Sequence, residues 1–175
     1  MKNSSQWSSR QLAAEVLRTA AQGPYGAAGV YGRSVAGRAL HWFSLGRGRR
    51  RLLLTAALHA NEWITAPLLM KFAHELASGV WPGVLDEVKV WFAPLANPDG
   101  TDLVTGALSS GPLWENAKRI AAQYPDIPFP DGWKANIGGV DLNLQFPAGW
   151  EEAKRIKFAQ GWTCLLYTSD AADEL

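Results

Sequence analysis

At 175 residues, with 47% of them hydrophobic, the chain is long enough for one domain with its own core, and 17 Lys and Arg against 16 Asp and Glu leave a formal net charge of +1. That balance carries no electrostatic footprint for nucleic acid or a membrane surface, so neither is expected as a partner. The single cysteine, Cys164, excludes a disulfide framework, and no apolar run approaches the roughly 20 residues needed to span a bilayer. In chain order, the opening Met-Lys-Asn-Ser-Ser-Gln-Trp-Ser-Ser-Arg is not followed by the apolar stretch of a secretory leader, and cytoplasmic residence is the expectation. Residues 40–45 and 52–58 read as a hairpin turning near Gly48, with Arg47, Arg49, Arg50 and Arg51 as its solvated tip. Over residues 62–79, apolar Ile64, Leu68, Leu69, Phe72, Leu76 and Ala77 recur at helical spacing, with Pro67 in the first turn and Gly79 at the C-cap. Residues 88–94 read as a strand stopped by the turn-formers Asn97-Pro98-Asp99-Gly100. Residues 106–130, with a short helix near 114–123, read as an inserted loop near a cleft. Residues 133–147 combine a glycine bend with a short Val-Asp-Leu-Asn strand end.

The chemistry concentrates at His59-Ala60-Asn61-Glu62, where the apolar run 51–58 gives way to the helix. An imidazole and a carboxylate three residues apart suit a borderline-soft divalent ion, and a catalytic zinc takes three protein ligands and leaves a fourth position open. The same pair also occurs as an ordinary surface or core contact. Its place at the carboxyl end of an apolar strand, where open α/β sheets hold their ligands, favours a site. Of the three histidines, neither His41 nor His74 fits as a further ligand. His74 lies a dozen positions beyond Glu62, roughly 18 Å along a helix. His41, paired near Leu54 in the expected hairpin, lies roughly 13–16 Å along the strand from His59.

Three blocks in order, Leu58-His-Ala-Asn-Glu-Trp-Ile-Thr-Ala-Pro67, Asn97-Pro-Asp-Gly100 and Gly139-Val-Asp-Leu-Asn-Leu-Gln-Phe-Pro-Ala-Gly-Trp150, resemble the zinc carboxypeptidase family of metallopeptidases. Within it they are most similar to the branch of γ-D-glutamyl-diaminopimelate endopeptidases, which act on bacterial cell-wall peptides. The resemblance runs over residues 30–162, with Gly32-Arg-Ser-Val-Ala-Gly-Arg38 fitting the fold's opening hairpin. It implies a mixed-sheet α/β sandwich flanked by helices, with its C-terminal part missing, and a single Zn2+ as cofactor. His59 and Glu62 match two zinc ligands, Asp141 matches the carboxylate that bonds the ligand histidine, and Asn143 matches a residue that holds a substrate carboxylate. Read without the family, Asn143 is a strand-end asparagine capping local backbone. The implied third ligand, a histidine, and the catalytic general-base glutamate would lie downstream, outside this chain. In the implied mechanism that glutamate deprotonates a zinc-polarised water, which attacks the amide between γ-D-glutamate and the diamino acid. The implied partner is a peptidoglycan stem peptide or muropeptide.

Two positions depart from the family pattern. Leu144 stands where enzymes that remove one C-terminal residue carry an arginine fork for the free carboxylate, which disfavours plain carboxypeptidase action. Gly138 stands where an arginine polarising the scissile carbonyl is expected, and Lys134 is the nearest cation. Trp114, Trp133 and Trp150 are candidates to line a muropeptide groove, although most of the nine tryptophans are expected in the core. Residues 164–175, Cys-Leu-Leu-Tyr-Thr-Ser-Asp-Ala-Ala-Asp-Glu-Leu, resemble the translation of a transposase-based sequencing adapter. The expected division is thus a partial catalytic domain over 1–163 and a non-native tail over 164–175, inactive as it stands. An aspartoacylase-like zinc deacylase and a non-catalytic peptide-binding module are the alternatives. Trp63 and the Asn97–Gly100 block favour the peptidase, and Gly138 favours the module.

Overall fold

In the computed structural model, which describes residues 8–159, the chain opens with α1 (Ser9–Gln22). Its start is written locally. The Ser8 side chain accepts the Gln11 N–H while the Gln11 side chain accepts the Ser8 N–H, a reciprocal capping box that satisfies two donors the helix cannot. Leu12, Val16 and Ala20 then fall on one buried face at four-residue spacing. No element was expected here.

Four strands follow: β1 (Ala27–Arg33), β2 (Ala39–Leu45), β3 (Arg50–Thr55) and β4 (Val88–Ala93). β1 and β2 form the expected hairpin, closed by Ser34 donating to the Arg38 carbonyl at 2.8 Å. The sheet order is β1-β2-β4-β3, antiparallel except for the parallel pair β3 and β4, so the mixed α/β sheet expected from the sequence is present. The parallel pair needs a crossover, which α2 (Thr65–Ala77) supplies together with a short turn of helix, α3 (Val84–Glu87).

The expected hairpin between residues 40–45 and 52–58 does not form, because β4 lies between β2 and β3. The link between them, Gly46-Arg47-Gly48, is pressed against the entry to β4. A Cβ on Gly48 would stand 1.8 Å from the Glu87 carbonyl carbon and 2.0 Å from the Val88 nitrogen. Gly46, at φ +84, would place one 2.4 Å from the Val88 carbonyl oxygen. The arginines therefore mark a crossing rather than a tip. Arg47 pairs with Asp86 at 2.8 Å and lies over the Tyr25 ring at 4.6 Å. His41 pairs with Val30 on β1, not with Leu54.

α1 and α2 pack on one face of the sheet, where Phe43 and Phe92 stack at 4.6 Å among Leu12, Val16, Leu45 and Met70. The opposite face carries Trp42 and Trp91, 4.7 Å apart, beside Leu53 at 65% exposure. There they line a groove of about 630 Å³ that runs on to Leu142 and Phe146.

Beyond the sheet, Asn97-Pro-Asp-Gly does not stop in a turn but starts α4 (Pro98–Thr105), with Asn97 as N-cap and Pro98 in the first turn. α5 (Pro112–Ala121) falls at the short helix expected near 114–123. Val140–Asn143 is not a strand end: Asp141 caps a 3-10 turn, Leu142–Leu144. α6 (Trp150–Ala159) completes the described chain. Trp133 lines a small apolar pocket with Ile127, Pro128 and Phe129, and both Trp133 and Trp114 belong to the packing beneath it. They pack around Phe129 at 6.0 and 5.0 Å, in a second core with Leu103, Ala117 and Ile137. Trp150 lies under the Lys154 ammonium at 4.4 Å. Residues 164–175 lie outside the described residues.

Replacing Gly48 with Ala should lower the unfolding free energy by roughly 1–3 kcal/mol, as overpacking against backbone does, read as a lower denaturant midpoint at unchanged slope. With β3 at the edge of the sheet among the described residues, beside an apolar face, the 175-residue chain should self-associate. Leu53→Lys should shift it toward monomer in sedimentation velocity without moving the melting temperature.

Candidate metal centre

β3 and β4 are parallel neighbours, so their carboxyl ends deliver residues 56–59 and 94–97 side by side. The Ala56 N–H donates to the Ala93 carbonyl, and Ala57 then takes the left-handed conformation at φ 48, uncommon for a residue with a Cβ. That reversal sends Leu58 and His59 across the end of the sheet into a 3-10 turn, Ala60–Glu62. Thr65 fixes the turn from behind. Its Oγ1 accepts the Ala57 N–H at 2.9 Å and donates to the Glu62 carbonyl at 2.7 Å.

His59 is held between two carboxylates. Its Nδ1 is 3.1 Å from Glu62 Oε1 and its Nε2 is 3.1 Å from Asp141 Oδ1. The His59 and Asp141 side chains are 14% and 8% exposed, whereas Glu62, at 55%, opens to solvent. Asp141 is itself oriented, its Oδ1 accepting the Asn143 N–H at 3.0 Å. A carboxylate on Nε2 holds a neutral imidazole in the Nε2–H tautomer, leaving the Nδ1 lone pair facing Glu62. Two acceptors at that spacing call for a shared proton or a cation between them. Two ligands of a tetrahedral zinc with bonds of about 2.0–2.1 Å stand about 3.3–3.4 Å apart, close to this separation. The donors fit two corners of such a site.

Among the described residues no group of three or more His, Cys, Asp or Glu converges to hold a metal. His74 is engaged elsewhere, its Nε2 2.8 Å from Glu15 Oε1 and 2.7 Å from Thr19 Oγ1, tying α2 to α1. Asn143 meets the centre through its backbone N–H, and its residue is exposed. Lys134 contributes its carbonyl, which accepts the Ala60 N–H at 2.9 Å. Gly138 is exposed and outside the left-handed region, and a Cβ there would meet only Asn136 Oδ1 at 3.3 Å, so the backbone does not demand glycine.

Three residues that support the site were given no part in it by the sequence reading. Thr65 is one and Asn97 another. The third is Asn136, whose Oδ1 accepts the Gly138 and Val140 N–H groups at 2.9 and 3.0 Å and so shapes the turn that presents Asp141. Asn97 carried a usable signal, since an asparagine directly before proline is an N-cap pattern as well as a turn pattern. Thr65 and Asn136 act on backbone groups that only the folded chain brings near.

The family model for zinc carboxypeptidases matches residues 25–163. The chain is 38% identical over 130 residues to gamma-D-glutamyl-L-diamino acid endopeptidase 1 of Lysinibacillus sphaericus, covering 69% of this chain and 32% of that protein. It is 30% identical over 104 residues to carboxypeptidase A2 of Mus musculus, covering 55% of this chain and 24% of that one. Among solved structures, a metallo-carboxypeptidase from Burkholderia cenocepacia shares the fold at a TM-score of 0.57 and 19% identity, over 88% of this chain and 38% of that one. The chain spans no more than about a third of the length of these two curated relatives. With the match running through both the His59–Glu62 turn and the Asp141 turn, this chain belongs to the zinc carboxypeptidase family.

Proposed function

We propose that residues 1–163 are the two-ligand part of a zinc peptidase that cleaves cell-wall peptides at the bond between γ-D-glutamate and a diamino acid, and that 164–175 are a foreign tail. The observation that carries this reading is the His59 imidazole, with Asp141 on Nε2 and Glu62 on Nδ1 at 3.1 Å each. The substrate class is supported by the activity for which the 38% identical relative is named and by Leu144 in place of a carboxylate-binding arginine.

His59 Nδ1 and Glu62 would hold one Zn2+, which when bound supplies Lewis acidity to a water or a scissile carbonyl. Asp141 keeps the proton on Nε2, so that Nδ1 remains a ligand, and raises the basicity of the ring. Thr65 fixes the turn that carries Glu62, keeping its carboxylate on the same side as Nδ1. Asn143, exposed beside Asp141, is the residue we assign to a carboxylate of the peptide, and a muropeptide is the partner. A catalytic zinc takes three protein ligands, and the described residues offer two, so the 175-residue chain by itself is expected to be inactive. Gly138 supports a second reading, a peptide-binding module without turnover, because a transition-state donor is missing where nothing in the backbone requires glycine.

Zinc affinity and hydrolysis of a γ-D-Glu-diaminopimelate peptide test both parts. The 175-residue chain should bind Zn2+ in a chelator competition, His59→Ala should abolish binding, and Asp141→Ala should weaken it about 10–100-fold. Binding that survives His59→Ala overturns the metal centre. Hydrolysis by the metal-loaded chain above the His59→Ala control overturns its inactivity. A full-length parent that binds the peptide without cleaving it decides for the second reading.

A further inference from the structure

One buried carboxamide joins the two arms of the centre. Asn97, 2% exposed, has each polar group engaged. Its backbone N–H donates to the Ala57 carbonyl at 3.1 Å and its carbonyl accepts the Thr101 N–H at 3.0 Å. Its Nδ2 donates to two carbonyls, Leu58 at 3.3 Å and Ala135 at 2.9 Å, while Oδ1 accepts the Gly100 N–H at 3.1 Å. Leu58 is the residue before His59, and Ala135 precedes the Asn136 turn that leads to Asp141. On the other side of His59, the Ala60 N–H is held by the Lys134 carbonyl. The His59 backbone is therefore tied on both flanks to the segment that launches Asp141, directly at Ala60 and through the Asn97 carboxamide at Leu58. Gly100 makes the close approach possible, since a Cβ there would lie 2.5 Å from the Ala135 carbonyl oxygen and 2.8 Å from both Ala60 Cβ and Asn97 Nδ2.

We infer that Asn97 is the positioning residue of the metal centre. It sets the spacing between the His59 arm and the Asp141 arm and so fixes which ring nitrogen faces the metal. The inference rests on the proposed metal centre. Only a carboxamide meets the local demand. Two donors on one nitrogen reach two carbonyls from separate segments, and the oxygen beside it caps α4. Aspartate would keep the cap but turn a second acceptor toward both carbonyls; serine has one hydroxyl donor for the pair and a shorter reach. Without the bridge, Leu58 and Ala135 lose their common tether and the Nε2 to Asp141 contact loses its fixed length. The metal would then meet a mixture of tautomers and ring orientations.

The test measures Zn2+ affinity of the 175-residue chain by competition with a chromophoric chelator, at a temperature where circular dichroism shows each variant folded. Asn97→Ala should weaken binding about 10–100-fold, as loss of support behind a ligand histidine does. It should also lower the fraction of the Nε2–H tautomer of His59, read from imidazole 15N shifts. Gly100→Ala keeps the carboxamide while wedging apart the segments it joins, and should weaken binding in the same direction. Val16→Ala, in the core between α1 and the sheet, is the control. It should lower the melting temperature and leave both affinity and tautomer unchanged. Asn97→Ala binding Zn2+ within twofold of the parent chain, while His59→Ala binds none, overturns the positioning role and leaves the metal centre standing. Affinity that falls equally in Asn97→Ala and Val16→Ala overturns it too, since stability alone then explains the loss. Absence of any His59-dependent binding in the parent chain overturns the metal centre and this inference together.

Discussion

The insertion of β4 between β2 and β3 is the constraint on which the rest of this molecule depends. Because β3 and β4 run parallel as neighbours, their carboxyl ends open at the same edge of the sheet, and the segments that leave them meet at once. Ala57 reverses the first and Asn97 caps the helix that begins the second. The site lies between those two events. It is placed by topology before any side chain is chosen, as in other open α/β sheets whose ligands gather beyond the carboxyl ends of strands. Glycine at 46 and 48 is the sequence feature that permits this order, since any Cβ at 48 would occupy the space of the β4 backbone.

Beside the centre, two buried carboxylates share one guanidinium. Asp102 accepts both the Ser9 N–H and the Ser9 hydroxyl, pairs with Arg38, and so ties the start of α1 to α4. Asp99, 2% exposed, accepts the Ala36 N–H at 3.0 Å and stands 3.5 Å from the same guanidinium. Each carboxylate of the network is paired or hydrogen-bonded, as a buried charge requires. The hydrophobic layer of Phe43, Phe92, Met70 and Val16 supplies cohesion, and the polar layer decides where α4 and the His59 turn sit relative to it.

Much of the site was legible in the sequence, but not all for the same reason. His59 and Glu62 are three residues apart, so any turn or helix brings their side chains to one side, and local spacing sufficed. Asp141 is 82 positions from His59, and its partnership was available only through resemblance to a family, which the 3.1 Å contact then matches. Where the reading went astray, a local signal had two physical outcomes. Asn-Pro-Asp-Gly is compatible with a turn and with an N-cap, and the buried carbonyls of Leu58 and Ala135 selected the cap. Gly-Arg-Gly between two apolar runs is compatible with a hairpin and with a crossing. Residue type alone could not tell groove from core for Trp114 and Trp133: both pack on Phe129 in the second core, and Trp133 also lines the small pocket beside it.

The sequence by itself determined the strands β2, β3 and β4, the helix α2, the His59–Glu62 pairing and the family, because each rests on periodicity, short-range spacing or the order of short motifs. Tertiary structure alone decided that β4 separates β2 from β3, that Val140–Asn143 is a capped turn, and that Asn97 bridges the two arms of the centre. These depend on which distant backbone carbonyls and N–H groups are left without partners once the core has formed. A chain read residue by residue does not carry that inventory; it exists only after the sheet order has been fixed.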